Sequence, residues 1–329
     1  MSGSLVISLD FELMWGVRDH RTTADYGDAV LGVRQALPAM LALFKAHGIR
    51  ATWATVGLLF ARNRREMLEH CPELQPGYRH QALSPYAAIR SEIGEDEAAD
   101  PWHYGRSLVD QVLAVEGQEL ATHTFSHYYC LEEGQSLSAF DADLAAAVRI
   151  MSAAGAAPRS IVFPRNQMTD AHVQACARHG ITAFRGNPDS FAYRARSQED
   201  NSPLVRGLRL LDASFPVTGR HSYRAPARIG ACVDVRASRF FRPFSPRMGA
   251  LNDLHVRRIV GEMTVAARAG EVYHLWWHPH NVGRHTGQQL ARLDTILKAY
   301  RRLADEHGMR SQTMAECAAA SQGQAAPSN

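Results

Sequence analysis

Two histidines stand four positions apart in Thr122-His123-Thr124-Phe125-Ser126-His127, directly after a short apolar run. If the segment is helical, positions i and i+4 share a face and both imidazoles reach one ion. In a chain with 16 histidines such pairs also arise by chance, as two ordinary satisfied polar side chains. Ser8-Leu9-Asp10-Phe11-Glu12 adds weight to the metal reading, because on a strand Asp10 and Glu12 point to the same side. Acids at a strand end often cap the segment that follows, but two on one face repel unless a cation or a shared proton lies between them. Two imidazoles, one carboxylate ligand and a spare carboxylate make the donor set of a hydrolytic metal site with positions left open for water and substrate. Cys130, three residues after His127, is a softer donor that reads better as a small buried residue.

These groups need a scaffold that delivers them to one place, and the hydrophobic pattern supplies it. Residues 5–9 form a short apolar, β-branched run that reads as a buried strand ending in polar residues. Residues 34–47 carry the helical spacing Leu37, Met40, Leu41, Phe44 and end at Gly48, and 49–56 is a second buried strand. The alternation continues with helices over 108–115, 140–153, 170–179, 253–269 and 288–307 and strands over 119–122, 160–163, 182–184 and 272–277. Repeated βα units imply a parallel sheet, open or closed. Residues 69–103 and 187–246 do not fit the repeat and read as loops or insertions, and the stretch 318–329 reads as a flexible tail on a single domain spanning 1–317.

Composition narrows the rest. The chain of 329 residues is 46% hydrophobic, enough for a large core, and its formal charge of +3 is spread without a basic arm, which argues against nucleic acid as a partner. Ser8 and Asp10 interrupt the first apolar run before a signal peptide's apolar region is complete, and no window is read as reaching the ~20 apolar residues of a membrane span. The expectation is a cytoplasmic protein. Five cysteines without a Cys-x-x-Cys pair suit reduced thiols.

The motifs together resemble the polysaccharide deacetylases, the carbohydrate esterases of the nodulation-protein type, and the likeness runs through most of the chain. Residues 8–12 stand where that family has its opening Thr-Phe-Asp-Asp-Gly motif, and Ala51-Thr52-Trp53-Ala54-Thr55-Val56-Gly57 resembles its second strand. The segment 117–127 is similar to its metal-binding motif, Phe163-Pro164-Arg165-Asn166 to its Arg- and Pro-containing motif, and Trp277-His278-Pro279-His280-Asn281 to its closing histidine motif. The spacing Asp10-x-Glu12 departs from two adjacent aspartates and matches a branch that includes intracellular deacylases and allantoinase-like enzymes.

The resemblance implies a distorted (β/α) barrel of about seven parallel strands with irregular insertions and its site at the carboxyl ends of the strands. It implies a divalent metal, Zn²⁺ first, with Co²⁺, Ni²⁺ or Fe²⁺ suited to the same donors. It makes Asp10 the catalytic base and Glu12, His123 and His127 the metal ligands, with exchange of the two acids as the alternative. His278 becomes the acid that protonates the leaving amine, ahead of His280 and His274, of which His274 reads equally well as a packed core residue. Arg165 is expected to pair with Asp10 and hold it ionised. Trp15, Asn166, Trp277 and His280 are expected to contact substrate, although tryptophans in strands and motifs are more often core. The activity implied is N-deacetylation of an amino-sugar intermediate in surface polysaccharide biosynthesis; the alternatives are allantoinase-like hydrolysis of a non-sugar amide and an inactive sugar-binding relative.

Between residues 201 and 251 arginines recur at 206, 209, 220, 224, 228, 236, 239, 242 and 247, against only Asp212 and Asp234. Such a stretch suits a nucleotide- or lipid-linked diphosphate sugar, and it equally suits a solvated surface or an oligomer interface.

Overall fold

The structure, a computed structural model, describes residues 2–197, 203–224 and 226–323. Its strands are β1 (Ser4–Phe11), β2 (Ala51–Thr55), β3 (Glu119–Thr122), β4 (Ser160–Ile161), β5 (Ala183–Phe184), β6 (Ala227–Ile229), β7 (Cys232–Asp234), β8 (Arg239–Phe240), β9 (Val272–Trp277) and β10 (Arg310–Gln312). In the order β7-β5-β4-β3-β2-β1-β9-β8 the neighbours are all parallel, which makes eight such strands where about seven were expected. The sheet curls into a distorted barrel. Its seam is crossed by the chain itself: Val235 and Ala237 donate to carbonyls of Phe184 and Gly186, and Ser238 donates to the His274 carbonyl on the far edge. β10 pairs with the first residues of β1, which lie before the register at Ile7 where β2 begins.

Alternation along β1 divides its side chains between two environments. Leu5, Ile7, Leu9 and Phe11 join the large core beneath the outer helices, together with Trp53, Trp277 and Phe44. Val6 faces the other way and packs with Ala54, Ala121, Val162, Ala183 and Val233, small residues that let a narrow barrel fill its own interior. Ser8 and Asp10 follow Val6 at spacing two and therefore point inward as well. The helix Met314–Gly323 contributes Met314, Cys317 and Ala318 to this interior and so extends into the stretch expected as a tail; residues 324–329 lie outside the described residues.

The stretch 187–246 is more than an insertion. It holds the helix Pro203–Ser214 and three strands, two of which are parallel members of the sheet. Strands of two or three residues show no period, and their pairing comes from neighbours distant in sequence. Residues 23–47 are apolar and long enough to cross a membrane by length and composition, against the expectation that no window is. In the fold they are two helices, Thr23–Leu31 and Val33–His47, and the second turns Val33, Ala36, Leu37, Met40 and Phe44 into the core.

The junction of these helices meets the short helix His280–Gly283, which follows β9 and the Trp277-His278 pair. A Cβ on Gly283 would stand 1.9 Å from the Ala29 carbonyl oxygen, and backbone on both sides leaves no side chain to give way. Gly283→Ala should therefore lower stability by about 1–3 kcal/mol as overpacking does. Urea unfolding measures this, and a midpoint equal to that of the parent chain would show that the contact relaxes freely.

Candidate active site and metal centre

The sequence-flagged groups meet at the carboxyl ends of the strands, in a cavity of about 600 Å³. Asp10 is the second-last residue of β1, Glu12 is the residue after that strand, His123 follows the end of β3, Asn166 lies in the loop after β4, and His278 follows the end of β9. Glu12, His123 and His127 are buried, and their donor atoms all lie within 4.8 Å of one another. Glu12 Oε2 is 3.3 Å from His123 Nε2 and 3.0 Å from His127 Nε2. Burial alone would push the Glu12 carboxyl up; the nearby His278 and the adjoining imidazoles of His123 and His127 hold it well below its usual value. Burial lowers the His127 pKa despite Glu12, which keeps the ring in the neutral form that can bind a metal.

The surroundings fit a divalent ion. His123 Nδ1 is 2.7 Å from the Val162 carbonyl, a contact that requires the proton on Nδ1 and leaves the Nε2 lone pair facing Glu12. Gly16 leaves room for the Glu12 carboxylate, since a Cβ there would fall 2.0–2.4 Å from its carboxyl atoms. Cys130 is buried in a separate apolar cluster and takes no part.

The loop that carries the histidines is not a helix. Thr124 and His127 both have φ near 60°, in the left-handed region, so the pair converges through a strained turn and not through i,i+4 spacing. Asp143, on the helix Leu137–Ala153, holds that turn: its carboxylate accepts from Phe125 N at 2.7 Å, from Ser126 N at 3.2 Å and from the Ser126 hydroxyl. Burial pushes Asp143 up to about 6 against these donors. Among the described residues six non-glycines have positive φ, and five of them, Leu13, Thr124, His127, Arg165 and Asn166, lie in loops around this site. Strain of this kind persists only where surrounding contacts over-determine it.

Asp10 is held by Arg185 and not by Arg165. Arg185 Nη1 donates to Asp10 Oδ1 at 2.6 Å and Nη2 to Oδ2 at 2.8 Å, a bidentate pair with the arginine side chain fully buried. The guanidinium also donates to Asn166 Oδ1 at 2.9 Å and to Ser8 Oγ at 3.0 Å, and it lies over the Trp276 ring at 4.1 Å. Burial would raise the Asp10 pKa; the charge and hydrogen bonds of Arg185 outweigh it and keep the carboxyl below its ordinary value, with His123 and His278 adding to the effect. The pair accordingly stabilises the fold above the ordinary carboxyl range and loses that contribution as pH falls through the depressed value. Arg165, in the left-handed turn at 165–166, lines the cavity as well but pairs with Asp19 at 2.5 Å and lies over the Tyr129 ring. The one sequence cue for Arg185 is a lone charge at the end of the short apolar run 182–184.

The remaining sequence expectations divide. His278 lines the cavity, with Nε2 3.8 Å from Asp10 and 3.7 Å from Glu12 and with Nδ1 3.2 Å from Asn281 Oδ1. Asn166 lines it too. His280 does not: the chain turns into the helix His280–Gly283, and the buried ring stacks beneath His278 at 4.9 Å, its pKa lowered to about 3 by burial and by His278. Trp277 is fully buried in the core, and Trp15 is buried with its indole nitrogen donating to the His103 carbonyl, so neither lines the cavity. Their ring-bearing faces are the outward ones, against the helices; it is Trp276, one residue away on β9, that faces the cavity. His274 is a packed interior residue between the Val235 carbonyl and Ser8. Arg239 and Arg242 both line the cavity, but Arg239 is neutralised there by Glu262 and Asp212. Arg206 has a side chain outside the described residues.

A parallel barrel with buried acids and imidazoles at its carboxyl end is the layout of a hydrolase site. The family model for polysaccharide deacetylases matches residues 21–184, about half of the chain, and includes the histidine loop but neither Asp10 and Glu12 before it nor Arg185 and His278 after it. Comparison with curated proteins gives no match. Solved structures similar to this chain include a protein from Mycobacterium smegmatis assigned to the polysaccharide deacetylases, with 13% identity, a TM-score of 0.60, and coverage of 98% of this chain and 92% of that one. The PuuE allantoinase matches with 11% identity, a TM-score of 0.58, and coverage of 98% and 91%. A further protein assigned to the polysaccharide deacetylases, from Pseudomonas aeruginosa PAO1, matches with 11% identity, a TM-score of 0.56, and coverage of 99% and 92%. At such identities the likeness is one of fold. The chain belongs to the polysaccharide deacetylase family, whose enzymes hydrolyse N-acetyl groups and so cleave amide bonds.

Two predictions follow from the contacts of Asp10 and Asp143. Replacing Arg185 by Met leaves Asp10 buried without its counter-ion, so its pKa rises and the acid limb of kcat/KM moves to higher pH; Arg185→Lys, which keeps the charge but not the fork, should move it less. A pH profile unchanged in both variants would refute the assignment. Asp143→Ala should weaken Zn²⁺ binding by about 10–100-fold through the loosened histidine loop, read by competition with a chromogenic chelator.

Proposed function

We propose that the chain is a metal-dependent N-deacetylase that acts in the cytoplasm on an amino-sugar intermediate of surface polysaccharide biosynthesis, of the O-antigen or lipopolysaccharide kind. The observation that carries this reading is the convergence of Glu12, His123 and His127 on one point, with Asp10 and His278 facing it. A divalent ion held by Glu12, His123 and His127, Zn²⁺ first, would polarise an acyl carbonyl and make water there more acidic.

The protein's own groups supply the proton transfers. Asp10, kept ionised by Arg185, accepts a proton from the water that attacks the acyl carbon. The amide C–N bond breaks only if the nitrogen leaves as a neutral amine, and His278 is the donor, its Nδ1 tied to Asn281 so that Nε2 faces the cavity. Asn166, held by Arg185, and the exposed edge of Trp276 orient the sugar. The glycan-directed character of the family supports a sugar substrate. The expected cytoplasmic location supports an intermediate over a finished wall polymer.

Hydrolysis of a ureide, the allantoinase-like alternative, would employ the same groups, and a likeness of fold does not choose between substrates. The discriminating measurement is release of acetate from N-acetylated amino sugars. It should be abolished by chelation, restored by Zn²⁺, and lowered by about 10²–10⁴-fold in kcat for His278→Ala. Ureide hydrolysis without acetate from any sugar would favour the alternative. A protein that stays metal-free after Zn²⁺ addition, and is unaffected by His123→Ala, would remove the metal-dependent reading altogether.

A further inference from the structure

Amide hydrolysis accounts for one end of the cavity. The other end is formed by the segment 193–197, the helix Pro203–Ser214 and the chain after β8, and its lining includes Tyr193, Arg194, Arg196, Arg209 and Arg242. The hydrogen bonds of these guanidiniums go to backbone carbonyls: Arg196 Nη2 to Phe191 O at 2.7 Å, Arg209 Nε to Ala192 O at 2.6 Å, and Arg242 Nη2 to Arg209 O at 3.5 Å. A carbonyl orients a guanidinium without neutralising it. Among the described residues no carboxylate forms an ion pair with any of the four arginines. The acids in the cavity lining, Asp10 and Glu12, are engaged by Arg185 and by the histidines.

Other arginines of the same region behave differently. Arg239 and Arg258 are matched by Asp212 and Glu262 in a buried network that anchors the helix Pro203–Ser214 to the helix Leu251–Ala269. Among the described residues the region therefore sorts its arginines into a set compensated by acids, of which Arg239 also lines the cavity, and a set of cavity-lining arginines with no acid paired to them. Within the second set the charges act on one another: burial first, and then the like charge of Arg196, hold Arg209 below its ordinary pKa. Such a cluster is relieved by an anion of more than one charge. A sugar carboxylate brings one; a diphosphate brings two, with oxygens spaced for guanidinium forks.

We propose that this end of the cavity is a diphosphate subsite, so that the amino sugar is recognised while attached to a diphosphate carrier. The proposal rests on the deacetylase reading for the sugar but not for the anion. Nucleotide and polyprenyl carriers share the diphosphate, and the test separates them.

The full chain is titrated calorimetrically with inorganic pyrophosphate, alongside Arg209→Gln, Arg242→Gln and Arg228→Gln. Arg228 is exposed on β6 outside the cavity and controls for net charge. The expected result is binding by the parent chain, weakened at least about tenfold in the two cavity variants and unchanged in Arg228→Gln, with thermal unfolding of all three confirming that they fold. Absence of pyrophosphate binding, equal weakening in Arg228→Gln, or full binding in both cavity variants overturns the subsite. Competition then uses uridine diphosphate, farnesyl diphosphate and glucuronate. Tighter displacement by either diphosphate supports the subsite and names the carrier, and tighter displacement by glucuronate overturns it. Because binding needs no turnover, pyrophosphate binding without acetate release from any sugar would sink the deacetylase reading alone, and the reverse outcome would sink the subsite alone.

Discussion

The arrangement of the site depends on one buried ion pair, Arg185 with Asp10. A carboxylate inside a barrel has little water to solvate it, and removing its partner would leave an uncompensated charge at a cost of about 3–5 kcal/mol. Both nitrogens of the guanidinium fork are used, and the same group reaches Ser8 on β1, Asn166 after β4 and the Trp276 ring on β9. One side chain from the end of β5 thus ties together strands that surround the interior. Its position also sets the charge state of Asp10, and with it the ability of that carboxylate to accept a proton.

Around this pair the site is built from loops held in conformations they would not choose alone. Glu12 is followed by a left-handed Leu13, His127 is itself left-handed, and Arg165 and Asn166 are two such residues in succession. Asp143 supplies three acceptor contacts to residues 125–126, and its own burial cost is met by those donors. The result is a division of labour: regular strands carry Asp10, His123 and His278 to the site, while a strained turn brings His127 around to Glu12. Hydrogen bonding at the second nitrogen of His123 and the space left by Gly16 then orient the donors.

Much of this was legible in the sequence. The strands 119–122 and 272–277 were read at their actual bounds, and the helices over 34–47, 253–269 and 288–307 differ by at most two residues from the structure, because long amphipathic periods and glycine stops are local signals. Asp10, Glu12, His123, His127 and His278 were identified from residue type, spacing and family resemblance, and all five line one cavity. The misplaced aromatic and histidine contacts share a cause. Trp277 and His280 differ from Trp276 and His278 by which side of the backbone they leave, and a shift of one or two positions moves a side chain from cavity to core.

Sequence by itself determined the alternation of strands and helices and the inventory of groups able to bind a metal and move protons, because period, turn chemistry and residue type are properties of short segments. Tertiary structure alone decided which arginine meets Asp10, since Arg165 and Arg185 are equally charged and only the fold pairs one with Asp19 and the other with Asp10. It likewise decided that strands as short as β7 and β8 exist at all, and which arginines of the 201–251 stretch are neutralised by acids and which face the cavity. Charge pairing and edge pairing join residues far apart along the chain, and no local pattern encodes the partner.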